Sequence, residues 1–133
     1  MDEETKKLVD AWIKMSEFLE QSGDEAADGQ LEPDFWAAEK LFRLAEEDPE
    51  KAWSLMLAIR SATSDQKILA HLAASHFEDF INAHADKFID RIEALAKEEP
   101  DFRNFIGGIW PRKDMPEELV ERFKAIALKP HWD

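Results

Sequence analysis

Along almost the whole chain apolar residues return every three or four positions, and no stretch alternates apolar with polar at period two between turn signals. That spacing puts apolar side chains on one face of an α-helix and leaves no material for a sheet, so it predicts an all-α fold. Leu8, Trp12, Met15 and Leu19 form the first stripe, widened by Val9 and Ile13. Phe35, Ala38, Phe42 and Ala45 form the second, helped by Trp36 and Leu41. The run Ala52 to Ile59 is apolar nearly all round and is expected to be the central, fully packed element. Ile68, Leu69 and Leu72 follow, then Phe77, Phe80 and Ile81, then Phe88, Ile92, Leu95 and Ala96. Phe102, Phe105, Ile106 and Ile109 make a short stripe ended by Gly107-Gly108, and Leu119, Val120, Phe123 and Ile126 make the last.

Helix punctuation falls between these stripes. Asp48-Pro49 and Glu99-Pro100 each read as a cap followed by proline at the first helical position, where the missing N–H costs nothing. Ser64 is the expected cap of a short helix, Ser75-His76-Phe77-Glu78 has the pattern of a capping box, and a last start is expected near Asp114-Met115-Pro116-Glu117. The segments Leu44 to Glu50 and Leu95 to Asp101 echo each other at an offset of 51 residues. Together these signals predict a single domain over residues 1–133 with six to eight short helices, arranged as helical hairpins in a compact bundle or a short HEAT-like array.

A chain of 133 residues is long enough to bury roughly two-thirds of its unfolded surface. Nine Phe and five Trp within a 44% apolar composition set it apart from a disordered acidic chain. The absence of Cys removes disulfides, thiolate metal sites and cysteine nucleophiles. The acidic start Met1-Asp2-Glu3-Glu4 has no apolar signal region, and runs such as Leu55 to Ile59 are too short to cross a bilayer. A cytoplasmic protein with no membrane association is expected.

The net charge of −13 is unevenly placed. Residues 1–50 hold sixteen Asp/Glu against five Lys/Arg, whereas residues 51–133 hold fourteen against twelve. The densest part, Glu20 to Asp34, has six carboxylates and no base. Such a field attracts basic partners and repels nucleic acid, so a basic protein partner is expected, with Asp24, Glu25, Asp28, Glu32 and Asp34 on the contact surface. Of the tryptophans, Trp12, Trp36 and Trp53 lie in apolar stripes and are expected in the core, while Trp110 and Trp132 are the candidates for an exposed role.

Catalytic and metal signatures are weak. The histidines His71, His76, His84 and His131 lack the i, i+4 pairing of a helical metal site, so no metal and no other cofactor is expected, and His84 extends the Phe77–Phe80–Ile81 stripe. Adjacent carboxylates such as Glu78-Asp79 point about 100° apart on a helix and do not form a dyad. Asp24, Glu25 and Asp28 lack the ligand alternation of a calcium loop, and no phosphate loop or nucleophile elbow occurs.

The blocks Asp48-Pro49-Glu50 with Ala52-Trp53, Leu72-Ala73-Ala74, Glu78-Asp79-Phe80-Ile81 with His84, Phe88 to Glu93, Pro100 to Arg103 and Gly107-Gly108-Ile109-Trp110 come in an order that resembles a family of small bacterial proteins whose shared domain has no known function. The likeness covers residues 44–110. This chain has Ser75-His76-Phe77 where members usually carry a Gly-Pro-Leu type of turn. The resemblance implies an all-α fold and brings no activity, cofactor or partner. Glu78, Asp79, His84, Arg91 and Arg103 are its polar residues of interest, with a helix-to-helix ion pair involving Arg91 and Glu93 as their plainest use.

Four functions compete. The leading one is a non-enzymatic, acidic protein-binding inhibitor, such as a bacterial immunity protein or antitoxin that covers a basic, nucleic-acid-acting toxin. A DNA mimic would instead need carboxylates spaced like phosphates over a long face. An enzyme would use His84 with Glu78-Asp79 in a pocket, and a helical adaptor would carry its acidity only for solubility.

Overall fold

A computed structural model describes residues 2–22, 34–107, 109 and 112–127, and every regular element among them is helical. The order is α1 (Glu3–Ser22), α2 (Trp36–Glu47), α3 (Pro49–Ala62), α4 (Gln66–Leu72), a π-helical turn (Ala73–Phe77), α5 (Glu78–Glu98), α6 (Pro100–Ile106) and α7 (Glu117–Ile126). The all-α expectation therefore holds. Two packed units divide the chain, Met1–His71 and Leu72–Asp133.

In the first unit α3 packs on both α1 and α2, and α1 also packs on α2. The apolar run of α3 occupies that central position as its composition predicts, burying Ala52, Trp53, Leu55, Met56 and Ile59. From α1 come Leu8, Val9, Trp12 and Met15, all buried. The contribution of α2 departs from expectation. Its inward side is Ala37, Ala38 and Leu41, while Phe35 is only half-buried and Trp36 and Phe42 lie exposed. Two alanines facing the neighbouring helices allow close backbone approach, and this rotates the bulky rings of α2 outward.

The junctions follow their caps with three corrections, the third at Glu99 in the second unit. Asp48 ends α2 by donating its N–H to the Leu44 carbonyl (2.7 Å) and opens α3 by accepting the Lys51 N–H on its carboxylate (3.3 Å), with Pro49 as the first helical residue. Ser64 does not cap α4. Asp65 does, accepting the N–H groups of Lys67 (2.9 Å) and Ile68 (3.4 Å). Nor is Ser75–Glu78 a capping box, because the backbone is already helical there and passes through the π turn directly into α5.

In the second unit α5 packs against the π turn, α6 and α7. It is one helix of 21 residues with a kink at His84 (φ −130°, ψ 15°). Phe77 meets Phe102 and Phe105 of α6 edge-on, with ring centroids 6.0 and 5.1 Å apart, and these rings make an aromatic core. The Glu99-Pro100 junction repeats the backbone of Asp48-Pro49 but not its cap, because the Glu99 side chain makes no capping hydrogen bond. The Glu99 N–H donates to the Leu95 carbonyl (2.9 Å), its backbone is extended (φ −128°, ψ 99°), and Pro100 is the first helical residue. The sequence echo thus corresponds to two helix junctions of like backbone, one in each unit. The start of α7 falls after Pro116 as predicted.

Candidate functional site

Of the expected recognition residues, Asp24, Glu25, Asp28, Glu32, Trp110 and Trp132 lie outside the described residues. Asp34 is described and half-buried. Its carbonyl accepts the Ala37 N–H (3.2 Å), which places Asp34 at the turn that opens α2.

The five polar residues singled out in the second unit are spread over separate structural contacts. Asp79 is exposed and pairs with Arg112 (3.4 Å), and the Glu78 carbonyl accepts from the Asn82 amide (2.9 Å). Asn82 in turn accepts the Arg112 N–H (2.7 Å), which ties that part of the chain to α5. Phe80 and Phe88 meet edge-on with ring centroids 4.8 Å apart, His84 packs beside them at 5.0 and 6.3 Å, and the Arg91 guanidinium sits 4.9 Å over the Phe88 ring. These four side chains form one cluster at the kink of α5, with the rings tilted or edge-on to one another. Arg103 reaches across to α7 and donates from Nε to the Ile126 carbonyl (2.9 Å), satisfying one of that helix's terminal acceptors. Glu93 makes the expected helix-to-helix ion pair, but with Arg122 of α7 rather than through Arg91. Arg122 binds Glu93 Oε1 (2.5 Å) and Asp90 (2.8 Å), and these hydrogen bonds, Glu93 first, raise the guanidinium further above its ordinary value.

Sequence spacing gave no sign of a contact in the first unit between Ser16 on α1 and His71 on α4. Ser16 Oγ lies 2.8 Å from His71 Nδ1, and the imidazole packs on Trp12 with centroids 5.1 Å apart and planes tilted by 34°. A serine beside an imidazole is the geometry of an activated nucleophile, yet Ser16 has 0% exposure and no substrate atom can reach it. Its role is to join α1 to α4. Among the described residues no group of three or more His, Asp or Glu side chains could hold a metal ion. No helix among them is long and apolar enough to cross a membrane.

The surface that stands out is the outside of α2. Trp36 and Phe42 are 37% and 41% exposed, and Glu39, Arg43, Glu46 and Glu47 are exposed with them. At about 100° per residue, Trp36, Arg43, Glu39, Glu46 and Phe42 fall within an arc of about 120°, and the two aromatics are about 9 Å apart along the axis. Lys40 is withdrawn from this face, bound to Glu4 of α1 at 3.1 Å, and it holds the Glu4 carboxyl below its ordinary value. The exterior of α2 therefore presents two large rings interleaved with mostly acidic side chains. Phe18 of α1, 43% exposed, is a third exposed aromatic in the same unit.

No curated protein and no solved structure matches the chain. Residues 24–131 match a family of unknown function, DUF6869, a span that takes in the acidic segment from Asp24, the whole of α2 and the C-terminal helices, and the chain belongs to that family.

Proposed function

We propose that this chain is a non-enzymatic protein-binding module whose N-terminal part takes a basic partner. Its most specific form is a cytoplasmic inhibitor of a basic, nucleic-acid-acting protein, in the manner of a bacterial immunity protein or antitoxin. The observation that carries the reading is a coincidence of charge and exposed aromatic surface. The unit Met1–His71 holds seventeen of the thirty Asp/Glu, with eight Lys/Arg, and it is also where Phe18, Trp36 and Phe42 are exposed. Acid alone serves solubility, but partly exposed large rings beside it favour a surface that another protein covers. The same mixture speaks against a DNA mimic, which needs a continuous run of phosphate-spaced carboxylates.

The test is kinetic. A partner captured from the native host is purified, and its association is measured with the wild type and with a variant carrying Lys at positions 24, 25, 28 and 32. That change moves the net charge from −13 to −5. The association rate at low salt should fall by about tenfold or more, with little change in dissociation, because such charges act on the encounter. Equal association rates for the two proteins at low salt would overturn the electrostatic reading.

A further inference from the structure

We infer that α7 is a strap that opens from α5 separately from the rest of its unit, with the Arg122 side chain as its catch. The inference stands apart from the basic-partner reading above. Three observations lead to it. The first is that α7 is shallowly seated. Of its ten described residues Phe123 alone is buried, with Leu119, Val120 and Ile126 half-buried, whereas α5 buries seven side chains and the shorter α6 buries three. Elements that bury little apolar surface open at lower free energy than the core they rest on.

The second observation is the nature of the polar hold. Arg122 donates from Nε to Glu93 Oε2 (3.1 Å) and from Nη2 to Glu93 Oε1 (2.5 Å) and Asp90 (2.8 Å). Arg122 and Glu93 are about a third exposed and Asp90 is 90% exposed, so water screens the pairs and they fasten the helix reversibly. At the other end of α7, Arg103 holds the Ile126 carbonyl. The third is a hinge. Arg112 is tied to α5 through Asn82 and Asp79, and residues 113–116, between that tether and Glu117, are exposed or half-buried. The strap can swing about these four residues while Arg112 stays in place.

Opening has a defined chemical consequence. Ile89 and Ala96, both buried, lie within about 60° of Glu93 around α5. An open strap therefore uncovers an apolar strip edged by the carboxylates of Asp90 and Glu93, which Arg122 withholds from other cations while it is closed. The ring contacts of Phe77 with Phe102 and Phe105 join the π turn to α6 without α7, so the unit keeps an aromatic core when the strap leaves.

The experiment is native-state amide exchange on the full chain over a series of low urea concentrations. Amides of residues 121–127 are expected to exchange about tenfold or more faster than the buried amides of α5 and α6, with a weaker urea dependence, because opening the strap exposes less surface than unfolding the unit. R122M keeps an apolar stem and removes the fork; it should speed exchange in α7 by about threefold or more and leave α5 and α6 unchanged. D90N/E93Q should do the same from the other side, and it carries the test with the wild-type series should R122M fail to fold. Amides of α7 that share the urea dependence of α5 and α6 would show that the helix leaves only with the whole unit and would overturn the inference. Substitutions that leave α7 exchange unchanged, or that speed all three helices alike, would overturn it as well.

Discussion

Ser16 shows how much a single polar atom can matter in an apolar helix. It is fully buried on the side of α1 that also carries Leu8, Val9, Trp12 and Met15, and its hydroxyl meets His71 Nδ1, 55 positions away. Ser16→Ala removes the hydrogen bond and leaves the imidazole nitrogen facing a methyl group, which should cost about 1–3 kcal/mol. Urea denaturation monitored by circular dichroism should show a lower midpoint at unchanged slope, and an unaltered midpoint would mean that His71 finds water instead. The pair was illegible in the sequence because a serine inside a stripe reads as a helix position like any other, and its partner lies on another helix. Two exposed carboxylates set the behaviour of the first turn of α1. The Asp2 carboxylate accepts the Thr5 N–H (2.7 Å) and is held below its ordinary 3.8, and Lys40 holds Glu4 below its ordinary 4.5. Because the folded values are depressed, their stabilising contribution is complete at neutral pH and fades as acid titrates them, below about pH 4. Amide exchange at Thr5 should therefore speed up, at matched intrinsic rate, as pH drops through that range; a protection factor independent of pH would contradict the capping role.

At the scale of elements, the existence of helices was easier to read than their rotation or their starting residues. The spacing of apolar residues marked α1, α3, α5, α6 and α7, and proline at the first helical position marked the starts of α3 and α6. In α2 it misled. Phe35, Trp36, Ala37, Ala38, Leu41 and Phe42 allow two different stripes, and a hydrophobicity argument chooses the larger rings. Packing chose the alanines, whose small side chains let α2 lie close against its neighbours. The start of α4 was misplaced by one residue for a local reason. Ser64, Asp65 and Thr63 are all cap-forming types, and only geometry decides among them. Asp65→Ala should destabilise the protein by about 1 kcal/mol, whereas Ser64→Ala should leave the thermal midpoint unchanged within error. Calorimetry on the two variants distinguishes the caps, and the reverse ranking would contradict the assignment. The π turn at Ala73–Phe77 had no sequence mark of its own, since its residues satisfy a capping pattern without making one.

For the molecule as a whole, the charge sets the response to salt. A net −13 on 133 residues is self-repelling, and the ion pairs that oppose it, such as Lys40–Glu4 and Arg122–Glu93, are partly exposed. Screening should therefore relieve more repulsion than attraction. The thermal midpoint should rise as sodium chloride is taken from about 10 mM to about 150 mM, where the screening length falls to about 8 Å. A falling midpoint in differential scanning calorimetry would show that surface ion pairs dominate instead. The arrangement of α2 bears on how such a protein changes over time. Positions 37, 38 and 41 hold the helix in place, while positions 36, 39, 42, 43 and 46 face outward, and the two sets do not overlap. A mutation in the second set alters the outer surface of α2 more than its packing on α1 and α3, so related chains can vary that surface along one helix while keeping a common architecture.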